Sequence, residues 1–341
     1  MAIAVGHDFS ALCGFEAPAG LAAALEGTPE LAGVIGPAAT DALVSAAPGA
    51  EADPATFKAA LKVAFTALMT APPAVYGPAV EALAKRLEGE GAATVSPSSS
   101  PLALKNALAL KLNAQYPADV GVLAAYFLNY LTLADGEAIA LAANEPHAYV
   151  SGNLVECMAT SDNVVRAGLT PKPRDTDTLC ASLTYTTGKP EVLSGSPLQE
   201  HTVAYAPPFD EFEVVRVALP AGADTLLPPS SGPAIILVGS GAGGLAATEL
   251  SLGQGGAGGL AASAAVGRGE VLFIPAGTPL RVEAGSGGGE EGGAGGGLTL
   301  WVAQVSARVL GEPVVVPSVA VPAAAAPATP AVEAAAEAAS V

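Results

Sequence analysis

The spacing of apolar positions divides the chain into stretches of different period. Residues 1–15 alternate between apolar and smaller or polar side chains, which predicts one strand and a turn. From residue 17 to about residue 116 the period becomes helical. Phe57, Ala60, Leu61, Ala64, Phe65 and Leu68 fall on one stripe of a helix. Asp53 followed by Pro54 supplies an N-cap and a first-turn proline ahead of that stripe. Val80, Leu83 and Leu87 repeat the stripe, Gly89 is placed to end it, and residues 102–112 read as a further helix after a Ser/Pro linker at 94–101. Strand signals return at 126–133 and 137–141, where Asp135-Gly136 predicts a hairpin turn between them. Further runs follow at 150–157, 183–186, 213–219, 234–238, 270–274 and 298–305. Short strands broken by Gly and Pro argue for antiparallel barrels or sandwiches around a helical insert.

Composition narrows the class. At 341 residues there is room for two or three modest domains, and 40 Gly with 29 Pro provide many breaks. A formal net charge of −18 opposes binding to nucleic acid or an anionic membrane surface. Cys13, Cys157 and Cys180 are odd in number and form no CxxC pair, so neither a disulfide framework nor a thiolate metal site is indicated, and a reducing cytoplasm is the expected setting. No basic residue precedes the apolar N-terminus, so no signal peptide is expected. No apolar run reaches the ~18 residues of a membrane span. The Gly-rich stretch 285–297 reads as a hairpin tip, and 311–341, rich in Ala and Pro, as a disordered tail.

Two glycine patterns matter for function. Residues 239–244 match G-x-G-x-x-G after a hydrophobic strand, the dinucleotide fingerprint. No second strand ending in an acid follows, so a glycine-rich hairpin is expected there instead. Gly269 to Leu280 looks like the cupin motif G-x5-P-x-G-x2-H with Leu280 in place of the histidine. Gly136 to His147 echoes it, keeping the histidine but carrying Ala142 and Asn144 for the Pro and Gly.

Only 13% of residues are charged, yet 135–172 gathers His147, several carboxylates, Arg166 and Lys172. Neutral imidazole is a common metal ligand, and a guanidinium nearby suits a phosphate or an anionic sugar. Arg166, Lys172 and Arg174 form the best basic patch. As residue types alone these fit a solvated loop around one core histidine equally well.

The words ANEPHAY, GNLVECMA and SDNVVRAGLTPK together resemble the signature of type I phosphomannose isomerases. QYPADVGVLAAYFLNYLTLADGEAI and MAIAVGHDFSALCGF are similar to other segments of that family. The resemblance implies a zinc enzyme interconverting mannose 6-phosphate and fructose 6-phosphate by proton transfer between C1 and C2, feeding GDP-mannose synthesis. It implies a mainly β fold with two cupin-like barrels, the first incomplete, and a helical insert. The expected domains are 1–15 and 116–185 for the catalytic barrel, 16–115 for the insert and 186–310 for the second barrel.

By the same resemblance His147 is a zinc ligand, Arg166 is catalytic, and Tyr149, Glu156, Asp162 and Lys172 line the pocket or support it. The family's other three zinc ligands, a Gln-x-His pair and the Glu of His-Lys-Pro-Glu, lie upstream of the position that Met1 matches. Of the one Zn2+ per full-length enzyme, this chain is therefore expected to bind little, and to turn over little. A monomer with a sugar-phosphate partner is expected. The general base stays open, with Glu156 a candidate by proximity. The alternative is a non-catalytic cupin derivative with a sugar-phosphate-binding or structural role.

Overall fold

The computed structural model describes residues 1–96, 98–161, 164–247, 263–286 and 297–309. Most of the expected Gly-rich tip and all of the expected tail lie outside them.

Strand β1 (Ala2–Phe15) is the spine of the first unit. A helical block follows: α1 (Pro18–Gly27), α2 (Pro29–Ile35), α3 (Pro37–Ala46), α4 (Pro54–Met69), α5 (Pro73–Gly89), α6 (Pro101–Gln115) and α7 (Val120–Ala124). The predicted stripe is the buried face of α4, with Phe57, Leu61, Ala64, Phe65 and Leu68 in the core. Asp53 caps α4 by accepting from the Thr56 N–H at 3.1 Å. Phe15 carries the strand into this core, edge-on to Phe65 at 5.1 Å and stacked on Tyr185 at 5.2 Å. Tyr126 and Phe127, expected in a strand, close a 3-10 turn instead. The continuous apolar run there lacks a period that separates strand from buried helix.

Strands β2 (Leu128–Leu133), β3 (Ala138–Ile139) and β4 (His147–Glu156) complete the sheet around β1. The expected hairpin at Asp135-Gly136 is not one. β2 pairs with Phe9–Phe15 and β3 with Ala2–Ile3, so the two lie end to end along one edge of β1. The turn steps across a kink in β1. Its Gly136 N–H donates to Ala4 O at 3.0 Å, and Asp135 Oδ1 accepts from Gly6 N–H at 2.7 Å. Gly6 and Asp8 have φ of 76° and 67° at that kink. Opposite, Gly152 has φ 86°, and a Cβ there would lie 2.4 Å from Phe9 Cα. Glycine is required at 152 because the bulged backbone occupies the side-chain space.

Residues 183–186, expected as a strand, are irregular, and an unexpected helix α8 (Thr176–Ser182) precedes them. Tyr185 there has φ 53° and donates its hydroxyl to Cys180 O at 2.8 Å, a local closure that competes with sheet pairing. Strand β5 (Val192–Leu193) extends the first sheet.

The second unit comprises β6 (Ser196–Gln199), β7 (Thr202–Tyr205), β8 (Glu213–Leu219), β9 (Asp224–Leu227), β10 (Ala234–Ser240), β11 (Ala242–Ala247), β12 (Ser263–Gly267), β13 (Val271–Ile274), β14 (Leu280–Ala284) and β15 (Leu298–Gln304). They form sheets ordered β13-β10-β15-β8-β7-β6 and β12-β11-β14-β9, with Val217, Ile236, Val282 and Leu300 buried between them. β10 passes through Gly241 into β11, which belongs to the other sheet. The G-x-G-x-x-G run is thus a corner between sheets, neither a hairpin nor a helix start, and the dinucleotide reading is excluded. The outer face of β15 and β8 meets the first unit through Trp301, Val214, Met1 and Ile3.

Candidate active site

Both cupin-like turns fold alike. In the first, Glu137 N–H bonds Ala134 O at 3.0 Å and Glu137 Oε2 accepts from Ala134 N–H at 2.8 Å. In the second, Glu270 and Gly267 repeat both bonds at 3.1 and 2.6 Å. Gly136 and Gly269 have φ of 81° and 86°. Asn144, which replaces the second motif glycine, has φ 63° against 72° for Gly277. Asn tolerates the left-handed region better than other non-glycine residues, so the substitution keeps the turn.

This turn delivers His147 to the start of β4, where it is the Cα partner of Cys13, while Ala11 pairs with Tyr149. His147 is exposed, and its Nδ1 lies 3.0 Å from Glu145 O. The tautomer with its proton on Nδ1 donates to that carbonyl and leaves the Nε2 lone pair open. The rings of His147 and Tyr149 are 6.0 Å apart, and Tyr149 rests on Phe9 at 5.9 Å. Tyr149 donates its hydroxyl to Glu156 Oε1 at 2.6 Å. Burial, with that carboxylate next, pushes the phenol well above its ordinary range. His147, Tyr149 and Glu156, predicted from the sequence, therefore share one face.

For the other predicted residues the described contacts are local. Arg166 is half-buried in the segment between β4 and α8, where its carbonyl accepts from Asp175 N–H at 2.8 Å. Lys172 is exposed, its backbone N–H 3.1 Å from Thr170 Oγ1. Asp162 lies outside the described residues. Arg174 leaves the expected basic patch: its guanidinium bonds Asp119 Oδ2 at 2.5 Å, and Asp119 Oδ1 also takes the N–H groups of Gly121 and Leu169. Met158 is 66% exposed just beyond β4, while Cys157 is half-buried against the second unit.

Sequence reasoning passed over three neighbours. Glu145 takes a short hydrogen bond from the Thr184 hydroxyl. Cys13 faces it, and burial, with the Glu145 charge adding, pushes its thiol up to about 11, so it is neither nucleophile nor ready ligand at neutral pH. Asn129 Nδ2 lies within 3.3 Å of the carbonyls of Cys13, Gly14, Phe15 and Gly188. Only the strand register, which the sequence does not print, brings these groups beside His147.

A zinc site needs three or four protein ligands. Among the described residues no group of three or more His, Cys, Asp or Glu could hold a metal ion. His147 offers one open nitrogen, so the residues present do not make a zinc site.

The fold and this face together define a class, the cupin-type barrel proteins that carry a helical insertion and a second barrel. Residues 34–128 match the family described as phosphomannose isomerase type I, helical insertion domain. Mannose-6-phosphate isomerase 2 of Arabidopsis thaliana is 41% identical over 274 residues, which is 80% of this chain and 58% of that protein. Mannose-6-phosphate isomerase 1 of the same plant is 40% identical over 82% of this chain and 60% of its own length. In fold, the chain superposes on mannose 6-phosphate isomerase from Salmonella typhimurium bound to fructose 6-phosphate and zinc with a TM-score of 0.62, at 24% identity, covering 89% of this chain and 65% of that one. The chain thus carries the helical insertion domain of the type I phosphomannose isomerases and is similar to mannose-6-phosphate isomerases along about four-fifths of its length. It spans about three-fifths of the two plant relatives.

Proposed function

We propose that this chain carries one wall of a mannose-6-phosphate isomerase site, and that the site closes only when residues outside the described ones supply further metal ligands. The observation that carries the reading is the row of His147, Tyr149 and Glu156 on one exposed strand face, in a chain related along most of its length to mannose-6-phosphate isomerases. Aldose–ketose exchange needs a base that moves a proton between C1 and C2. Glu156 is the carboxylate on this face, and the Tyr149 hydroxyl fixes the direction of its lone pairs. Arg166 and Lys172 would meet the charge developing on the sugar oxygens or the phosphate. The zinc-bound, fructose 6-phosphate-bound relative supports Zn2+ as the metal that the completed site takes. The reading includes a cytoplasmic location, a monomer, and a product destined for GDP-mannose synthesis.

With the face exposed and one imidazole available, the 341-residue chain alone is expected to bind zinc weakly and turn over little. Glu156→Gln in the active assembly tests the role of the carboxylate. We expect kcat for mannose 6-phosphate to fall by about 10²–10⁴ with KM little changed. An unchanged kcat would remove Glu156 from the chemistry.

A further inference from the structure

The loop that carries Arg166 and Lys172 is held by one buried carboxylate far from it in sequence. Asp119 is 7% exposed and stands directly before α7. Its Oδ1 accepts from the N–H groups of Gly121 at 2.7 Å and Leu169 at 3.0 Å, and its Oδ2 accepts from the Arg174 guanidinium. Two separate points of the loop are thus tied to one side chain. Packing repeats the tether. Ala167 is buried in the core of the helical block, and the Arg166 carbonyl accepts from Asp175 N–H at 2.8 Å. A Cβ on Gly121 would lie 2.5 Å from Leu169 Cγ, and one on Gly168 3.1 Å from Gly121 Cα, so the loop and the start of α7 meet without a side chain between them. Leu169 takes φ 48°, a conformation that leucine rarely adopts unless its surroundings hold it there.

The clamp sorts the three cations of the loop. Among the described residues Arg174 is paired with Asp119, whereas neither Arg166 nor Lys172 stands in an ion pair. Arg174 balances the buried carboxylate, and the tethered Leu169 lies midway in the chain between the two cations left uncommitted. We propose that Asp119 is a positioning residue: through Leu169 and Arg174 it fixes the backbone from which Arg166 and Lys172 reach an anionic sugar phosphate. What the two cations meet rests on the isomerase reading above; how they are held rests on the clamp. A group displaced by about 1 Å from the charge it stabilises can cost about 10²-fold in rate, so a tether at this distance matters to the chemistry.

The test has two arms. In the first, amide hydrogen exchange is followed by NMR in the 341-residue chain without substrate. The Leu169 N–H should be protected. Asp119→Asn keeps an oxygen for the backbone donors but turns an amide N–H toward the guanidinium, so Leu169 exchange should quicken about tenfold while β8 and β15 keep theirs. In the second, kcat for mannose 6-phosphate is measured in the active assembly as a double-mutant cycle. Asp119→Asn should lower kcat about 10–10²-fold, and should cost little more in an Arg166→Lys background, where the guanidinium it positions is already gone. A merely structural role lowers kcat by the same factor in both backgrounds. That result, or an unprotected Leu169 N–H in the unaltered chain, would overturn the proposal. Protection of Leu169 together with an assembly that does not isomerise mannose 6-phosphate would sink the isomerase reading, and with it the role given to Asp119, while the clamp itself stands. If Asp119→Asn does not fold, Arg174→Met opens the clamp at a side chain that is 34% exposed, and the same outcomes decide.

Discussion

Asn129 concentrates more of the first barrel than any other single side chain described. Its amide ties the β1 carbonyls of Cys13, Gly14 and Phe15 to Gly188, and it is 4% exposed. Asn129→Asp would replace the donor with a carboxylate facing carbonyl oxygens. It should destabilise the chain by about 2–4 kcal/mol, measured by urea unfolding, with no change in m-value. Gly152 is another residue of this unit that its surroundings hold to one side chain. Gly152→Ala should cost about 1–3 kcal/mol, since φ is 86° and the Phe9 backbone fills the Cβ position. The sequence displayed His147, Tyr149 and Glu156 close together, but not that they share a face: alternation sets 149 and 156 on opposite sides of a regular strand, and the register shift around Gly152 is what turns Glu156 toward Tyr149. Cys13, Glu145 and Asn129 were not legible beside them, because they approach through a strand pairing that joins residue 13 to residue 147. Arg174 was misread for the same reason: its carboxylate partner, Asp119, is distant in sequence but adjacent in the fold.

At the scale of elements, helices were easier to read than strands. The α4 stripe and its Asp53 cap are local, and local rules recover them. The end-to-end placement of β2 and β3 depends on the kink in β1, which no dipeptide announces. Helices α2 and α5 are joined by Arg86, whose Nε and Nη2 reach the two Glu30 oxygens at 2.7 and 2.9 Å. The hydrogen bonds from Arg86 outweigh partial burial and hold the Glu30 carboxyl below its ordinary 4.5. Its folded-state pKa being depressed, this pair contributes stability above about pH 4.5 and loses it as the pH falls through the folded value. Glu30→Gln should therefore lower Tm at pH 7 but approach the unaltered chain at pH 3, checked by thermal melts across that range. A constant difference in Tm would contradict the assignment.

On the scale of the whole molecule, the two barrels are held together where the first cupin turn meets the second unit. Arg216 bonds Asp135 at 2.8 Å and lies 5.3 Å over the Trp301 ring, and Tyr205 donates to Gly136 O at 2.8 Å. The turn that places His147 is thus braced from the second barrel, a link between domains invisible in either motif alone. The internal echo was legible, and the matching φ values and Glu–backbone bonds of both turns explain why it persists.

The proposed isomerase wall depends on a zinc site that is completed from elsewhere. The most direct measurement is zinc content and mannose 6-phosphate turnover in a coupled assay. The purified 341-residue chain would be compared with a version carrying any in-frame coding sequence upstream of Met1. The account predicts substoichiometric zinc and little turnover in the former, with both restored where further ligands are supplied. Stoichiometric zinc and full isomerase rates in the 341-residue chain alone would contradict it.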